Sequence, residues 1–455
     1  MALVDPTRRE MLASTAAAFA GVAAPRLSLC TFMVEVTIPL GHPCMGGGIA
    51  PAKEIVDPLF AHGFILQGAG EPVAVIAVDW CEIRNGAYDL FRDKIAAAIG
   101  TTPVRVMLSS LHQHDAPIPD IEAQQLLEKQ KAKGSVCDLA FLEKTVDRVA
   151  DAAKKAMQKA TPITHIGTGQ AKVDRVASNR RYRDEAGAVH YNRMSASRDP
   201  KIRAGEEGTI DPFLKTLSFW NGDVPLLGLS AYATHPMSYY GKGGVSADFV
   251  GLARKRRQAE TPGVFQMYVS GCSGNVTAGK YNDGAPTNRP VLADRLHAAM
   301  AAAWKAVQKK PIAQVEFRSV PLKLEARKSA GFSEEELRKR LASDPRPFGQ
   351  CLAALGLSWK HRVRAGIPID LPVLDFGTAA IVLLPAESYI EYQLAAQKMR
   401  PDAFVLVAGY GECGPGYIPI ERAWNENDSN LDDWCWVEKG SEKRMLDAIG
   451  KALRH

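Results

Sequence analysis

Two histidines one residue apart, His112 and His114, sit in the run VRVMLSSLHQHDAP at residues 104–117, where a β-rich stretch ends and turns. In an extended strand, residues i and i+2 point to the same side, so these two can face one pocket while Gln113 faces away. Neutral imidazole suits Zn²⁺, and a catalytic zinc takes about three protein ligands and keeps a position open for water or substrate. The pair alone fits a hydrogen-bonded loop equally well. Further ligands have to come from elsewhere in the chain.

A second apolar run, residues 226–231, ends in Ala233-Thr234-His235-Pro236 and repeats the pattern of a strand delivering a histidine. A third, residues 378–384, delivers Pro385-Ala386-Glu387 to the start of a helix, where a glutamate also simply favours the helix dipole. Residues 264–269 open into SGCSGNVTAGK at 270–280. Small residues and hydroxyls after a strand suit backbone N–H groups and a hydroxyl nucleophile gathered round a reacting carbonyl. An ordinary Gly/Ser turn is the alternative, and the phosphate-loop spacing is not met. Residues 404–408 end in GYGECGPGYIP at 409–419, which by itself reads as a turn with one buried ring. The adjacent Arg180 and Arg181 read first as solvated surface.

The elements that position these residues follow from hydropathy. Residues 72–78 are a continuous apolar run, the pattern of a strand buried on both faces. Residues 86–99 read as an amphipathic helix and 104–108 as the next strand, a βαβ unit. Residues 34–39 alternate as a strand, 139–159 form a long helix, and 214–219 with 226–231 form a hairpin around Asn221-Gly222-Asp223. Residues 329–364 are helical and charged, placed to cover the sheet or the site mouth. The expected fold is α/β, a mixed β-sheet core flanked by helices, with sites at the carboxyl ends of strands.

The chain has 455 residues, 46% hydrophobic and 23% charged, with a net charge of +6. That balance describes a globular protein rather than a disordered one. The positive charge forms no long stripe and no nucleic-acid motif accompanies it, which argues against nucleic-acid binding. Eight cysteines without a CxxC pair make neither a disulfide scaffold nor a zinc ribbon, and read as small core residues. Residues 1–25, with Arg8-Arg9 before an Ala-rich stretch, resemble a twin-arginine export signal, which predicts a periplasmic or envelope location.

Together the motifs VEVTIPLGHP, LSSLHQHDAP, SNRRY, ATHPMS, GCSGNVTAG, LLPAE and GPGYIP, in that order, resemble the catalytic domain of the neutral/alkaline ceramidases. The resemblance covers residues 26–455 and implies that His112, His235, Glu387 and Tyr417 hold a zinc ion. It implies that His114 and Arg180 hold the substrate or its oxyanion. Two positions depart from the family. Its serine nucleophile is replaced by Thr277 in Gly274-Asn275-Val276-Thr277, which leaves zinc-activated water as a second attacker. A further family tyrosine meets Ser429. No immunoglobulin-like carboxyl-terminal domain is expected. The resulting expectation is a zinc-dependent hydrolase of a linear amide, ceramide or another N-acyl compound, with peripheral contact to a membrane surface. The alternatives are an ester or sugar-derived substrate, or a non-catalytic exported lipid-binding protein.

Overall fold

The apolar run at residues 73–78 becomes a strand with all six side chains buried. Val73, Val75 and Ala77 enter one core layer, and Ala74, Ile76 and Val78 enter another. The computed structural model describes residues 27–454, so the expected export signal lies outside the described residues. The strand belongs to the first of three mixed sheets. There β1 (Ser28–Glu35), β2 (Phe60–Gln67), β3 (Val73–Val78), β4 (Val106–Ser110) and β5 (Thr161–Pro162) lie in the order β4-β3-β2-β1-β5. In the second sheet, β6 (His165–Lys172), β7 (Phe213–Asn221), β8 (Val224–Tyr232), β9 (Phe265–Ser270) and β10 (Gln308–Pro311) lie in the order β9-β8-β7-β6-β10. The third is β11 (Glu316–Leu322), β12 (Ile369–Asp375), β13 (Ala379–Leu383) and β14 (Phe404–Ala408), in chain order.

The three sheets share one feature. Each is antiparallel except for a single parallel pair at one edge: β3 with β4, β8 with β9, and β13 with β14. The inner faces of all three pack into one apolar layer, with Phe64 and Met107 from the first, Phe219 and Leu229 from the second, and Ile381 and Leu406 from the third. Full burial of side chains of this size contributes roughly 1.5–3 kcal/mol each. The parallel edges are also stitched together where their strands end. Ser110 N–H donates to Tyr410 O at 3.0 Å, Gly409 N–H to Ser270 O at 2.8 Å, and the Ser270 hydroxyl to Leu111 O at 2.8 Å. The loops that follow these strands therefore converge.

Helices cover the outer faces. Asn85–Ile99 and Leu139–Ala156 pack on the first sheet, Asp248–Glu260 and Asn288–Lys305 on the second, and Ile390–Met399 and Ser441–Leu453 on the third. The α/β architecture of mixed sheets flanked by helices is thus as expected. Local bounds shift in two places. The strand expected over 34–39 ends at Glu35, because Val36 turns to donate to Leu59 O and Pro39 has no N–H to offer a ladder. Residues 103–105 form one 3-10 turn, so the following strand starts at Val106. Of residues 329–364, Glu334–Ser343 and Pro347–Arg364 are helical, and the second packs against helix Ile121–Lys129. All eight cysteines are free and buried, as their spacing implied. No described helix is long and apolar enough to cross a membrane.

Candidate metal centre

His112 lies two residues past the end of β4. Its N–H donates to Trp80 O at 2.9 Å, and its backbone is left-handed, with φ 73°. The His-x-His pair is therefore not an extended strand, which corrects the expected alternation. The His112 and His114 rings still lie 5.3 Å apart, nearly perpendicular, while the Gln113 amide turns back to Asp79 O. His235 follows β8, tied by its N–H to Val276 O at 2.9 Å. Glu387 follows β13 and forms a two-residue parallel ladder with Tyr417 and Ile418. Three strand ends thus bring three side chains to one point.

Their protons can be assigned from the neighbours. His112 Nδ1 faces Cys81 O at 3.1 Å, and His235 Nδ1 faces Ser273 O at 2.5 Å and Val276 O at 3.1 Å. A carbonyl only accepts, so each Nδ1 carries the proton and each Nε2 presents a lone pair. Both lone pairs point at one carboxylate oxygen, Glu387 Oε2, from 3.2 Å and 3.0 Å. The three ligand atoms lie within 4.8 Å of one another, and all three residues are buried. His112 Nε2 has no hydrogen-bond partner. Two imidazole nitrogens and a carboxylate oxygen, dry and converging within 3.2 Å, fit a divalent cation in place of the protons that otherwise join them, and this His/carboxylate set is one that zinc takes.

The electrostatics agree with that arrangement. Burial pushes the Glu387 carboxyl up, but His112 and His235 outweigh it and hold the group well below the usual carboxylate range. Burial, assisted by Arg180, lowers His235 to about 4. For His112 burial acts downward, and Glu387 more than compensates, leaving it raised. His114 is pushed well below the ordinary imidazole value by burial and by the neighbouring imidazoles. It is therefore neutral at physiological pH.

Arg180, read first as surface, is 2% exposed. A two-residue ladder between Ser178–Asn179 and Val276–Thr277 carries it in, and its N–H donates to Asn275 O at 2.7 Å. Its Nη1 donates to the Tyr417 hydroxyl at 2.6 Å and to Asn430 Oδ1 at 3.0 Å, and its Nη2 to His235 Nε2 at 3.3 Å. Its Nε is buried without a partner, as is His114 Nδ1. The Tyr417 phenol is held neutral, since burial raises it and Arg180 only partly opposes this. His114 packs edge-on against Tyr240, which is 38% exposed and marks the side open to solvent.

Thr277 is fully buried, and its hydroxyl is bonded at both ends to main chain. It donates to Met194 O at 2.9 Å and accepts from Gly279 N–H at 3.2 Å. None of its hydrogen bonds goes to His112, His114, His235 or Glu387. Other residues of the centre were not legible as such. Tyr410 stacks on His112, and Ser273 bonds Tyr410 through its hydroxyl. Asn430 orients Arg180 and is itself held by Asp428, which also accepts from the Tyr389 hydroxyl at 2.6 Å. The only local signal was a tyrosine between two glycines just past a strand.

No protein-family model and no curated protein matches the sequence. Solved structures do match its shape. A structure described as ceramidase complexed with C2 superposes with a TM-score of 0.66 at 15% identity, covering 93% of this chain and 74% of the other. The neutral ceramidase from Pseudomonas aeruginosa gives 0.65 at 14% identity, with the same coverage. This is the neutral ceramidase fold. At such low identity the likeness concerns architecture. In this chain the buried His112–His235–Glu387 triad can hold a metal ion.

Proposed function

We propose that the protein is a zinc-dependent amidohydrolase that cleaves a linear N-acyl amide of the ceramide class. The observation that carries this reading is the convergence of two imidazole lone pairs and one ionised carboxylate in a buried site. His112, His235 and Glu387 would hold the ion, with the Tyr417 hydroxyl as the fourth ligand. A zinc ion there supplies a Lewis acid for the amide carbonyl and lowers the pKa of water toward 7.

The remaining work falls to the chain. Arg180, a fixed cation with an unpartnered Nε, stabilises negative charge developing on the carbonyl oxygen. His114, neutral and with Nδ1 free of protein partners, orients the amide, takes a proton from the attacking water and passes it to the departing amine as the C–N bond breaks. Burial excludes bulk water, which strengthens both contributions. Water is the attacking group in this reading, because the Thr277 hydroxyl is committed to Met194 O and Gly279 N–H. Thr277→Val is accordingly expected to change kcat less than threefold while lowering unfolding free energy by about 1–2 kcal/mol through the lost buried hydrogen bonds. A drop of two decades in kcat at full zinc occupancy would instead identify Thr277 as the nucleophile.

The reading is tested by incubating purified, zinc-loaded protein with paired N-acyl amides and matching esters and following released acid and amine by mass spectrometry. Amide turnover with ceramide-like chains supports it. Ester-only turnover, or no stoichiometric zinc, defeats it. Zinc affinity also has a predictable pH dependence. His112 is raised by Glu387, so its imidazole binds a proton more readily as pH falls, and zinc must displace that proton. Affinity measured by chelator competition is expected to weaken by about tenfold per pH unit on the acid side, with about one proton released on binding. Residues 1–25 would export the folded enzyme through the twin-arginine route.

A further inference from the structure

Gly409-Tyr410-Gly411 follows β14, and its tyrosine does more than fill a turn. Tyr410 is fully buried and left-handed, with φ 56°. A non-glycine residue held there is strained, and such strain collects at functional sites. Two other left-handed non-glycine residues of the described chain occupy the neighbouring loops, His112 with φ 73° and Ala386 with φ 49°. The three kinks belong to one constellation, and Tyr410 touches every part of it.

Its main chain binds two ligand-bearing loops. Tyr410 O accepts from Ser110 N–H at 3.0 Å, two residues before His112, and Tyr410 N–H donates to Ala386 O at 3.3 Å, one residue before Glu387. Its ring stacks on His112, with centroids 4.3 Å apart and planes at 18°, and meets His235 edge-on at 6.3 Å. Its hydroxyl pairs with Ser273 Oγ at 2.6 Å, and Ser273 O is the nearer of the two carbonyls that accept a hydrogen bond from His235 Nδ1. We infer that Tyr410, clamped by Ser273, is the positioning residue that sets the ring planes of both imidazole ligands and the register of the Glu387 loop. The inference rests on the metal-site reading above. It adds the residue that preorganises the site: one face of the Tyr410 ring fixes the direction of His112 Nε2, and the Tyr410–Ser273 bond fixes the loop whose carbonyl fixes His235 Nε2.

The backbone contacts survive any side-chain substitution, so the stack and the hydroxyl can be tested separately. Zinc dissociation constants are measured by chelator competition on the full chain for wild type, Tyr410→Phe, Tyr410→Leu, Ser273→Ala and the Tyr410→Phe/Ser273→Ala double variant, with metal-free thermal midpoints recorded in parallel. Tyr410→Phe keeps the stack and is expected to weaken zinc about tenfold, and Tyr410→Leu about a hundredfold, the range for residues that orient metal ligands. The double variant is expected to match Tyr410→Phe, because both changes break one bond. A residue that only fills space would lower the metal-free midpoint and leave the zinc constant unmoved. Tyr410→Phe and Ser273→Ala constants within twofold of wild type would overturn the inference. A wild-type protein that binds no zinc would instead remove the metal-site reading beneath it.

Discussion

Glu387→Gln is expected to remove zinc binding and activity together while leaving the fold in place. Glutamine matches glutamate in shape, so packing around Ala386 and Ser388 is kept and only the charge disappears. Once the ion has displaced any Nε2 proton, both imidazoles are neutral ligands, and nothing else in the triad can neutralise a dication. A dication and a unit charge at 4 Å and an effective dielectric of about 20 attract by about 8 kcal/mol before desolvation is subtracted, which puts several decades of affinity on this carboxylate. Zinc content after dialysis against a weak chelator, with kcat/KM on an N-acyl amide, measures both. His112 and His235 hold the Glu387 carboxyl below its usual range against the cost of burial, so its charge contributes stability at neutral pH and the metal-free thermal midpoint is expected to fall, with zinc content read on protein that is still folded. A Glu387→Gln protein with one zinc per chain and wild-type turnover would leave the proposed chemistry without a centre.

Arg180→Lys is expected to separate binding of the ion from catalysis. Lysine keeps the positive charge but loses the planar fork that lets one guanidinium reach Tyr417, Asn430 and His235 at 2.6, 3.0 and 3.3 Å. It also loses Nε, the buried donor with no protein partner. Removing one preorganised oxyanion donor typically costs about a hundred- to a thousandfold in rate. The expected result is that loss in kcat, with zinc content unchanged and KM moved little, because the interaction strengthens as charge develops on the oxygen. Equal kcat in wild type and Arg180→Lys would assign Arg180 to scaffolding alone. A parallel fall in zinc content would place it with the ligands.

The chain by itself determined whatever depends on near neighbours. A continuous apolar run marked the strand at 73–78 as buried on both faces, and two apolar segments around Asn221-Gly222-Asp223 marked the hairpin at 213–232. Strand endings placed His112, His235 and Glu387 at loops where sites gather, the motif resemblance joined them as one set, and the three do converge. Tertiary structure decided what depends on residues distant in sequence. Arg180, read as surface, is buried because Tyr417 and Asn430, more than 200 positions away, accept its protons. Thr277 holds a hydroxyl as a nucleophile should, but a carbonyl 83 residues earlier claims its proton. Tyr410 looked like a turn residue because its partners lie on the loops of two other sheets. Local pattern records which face of an element is apolar; which polar atoms meet across three sheets is set only when their parallel edges are stitched together, and there the lone pairs, charges and donors of this site acquire their partners.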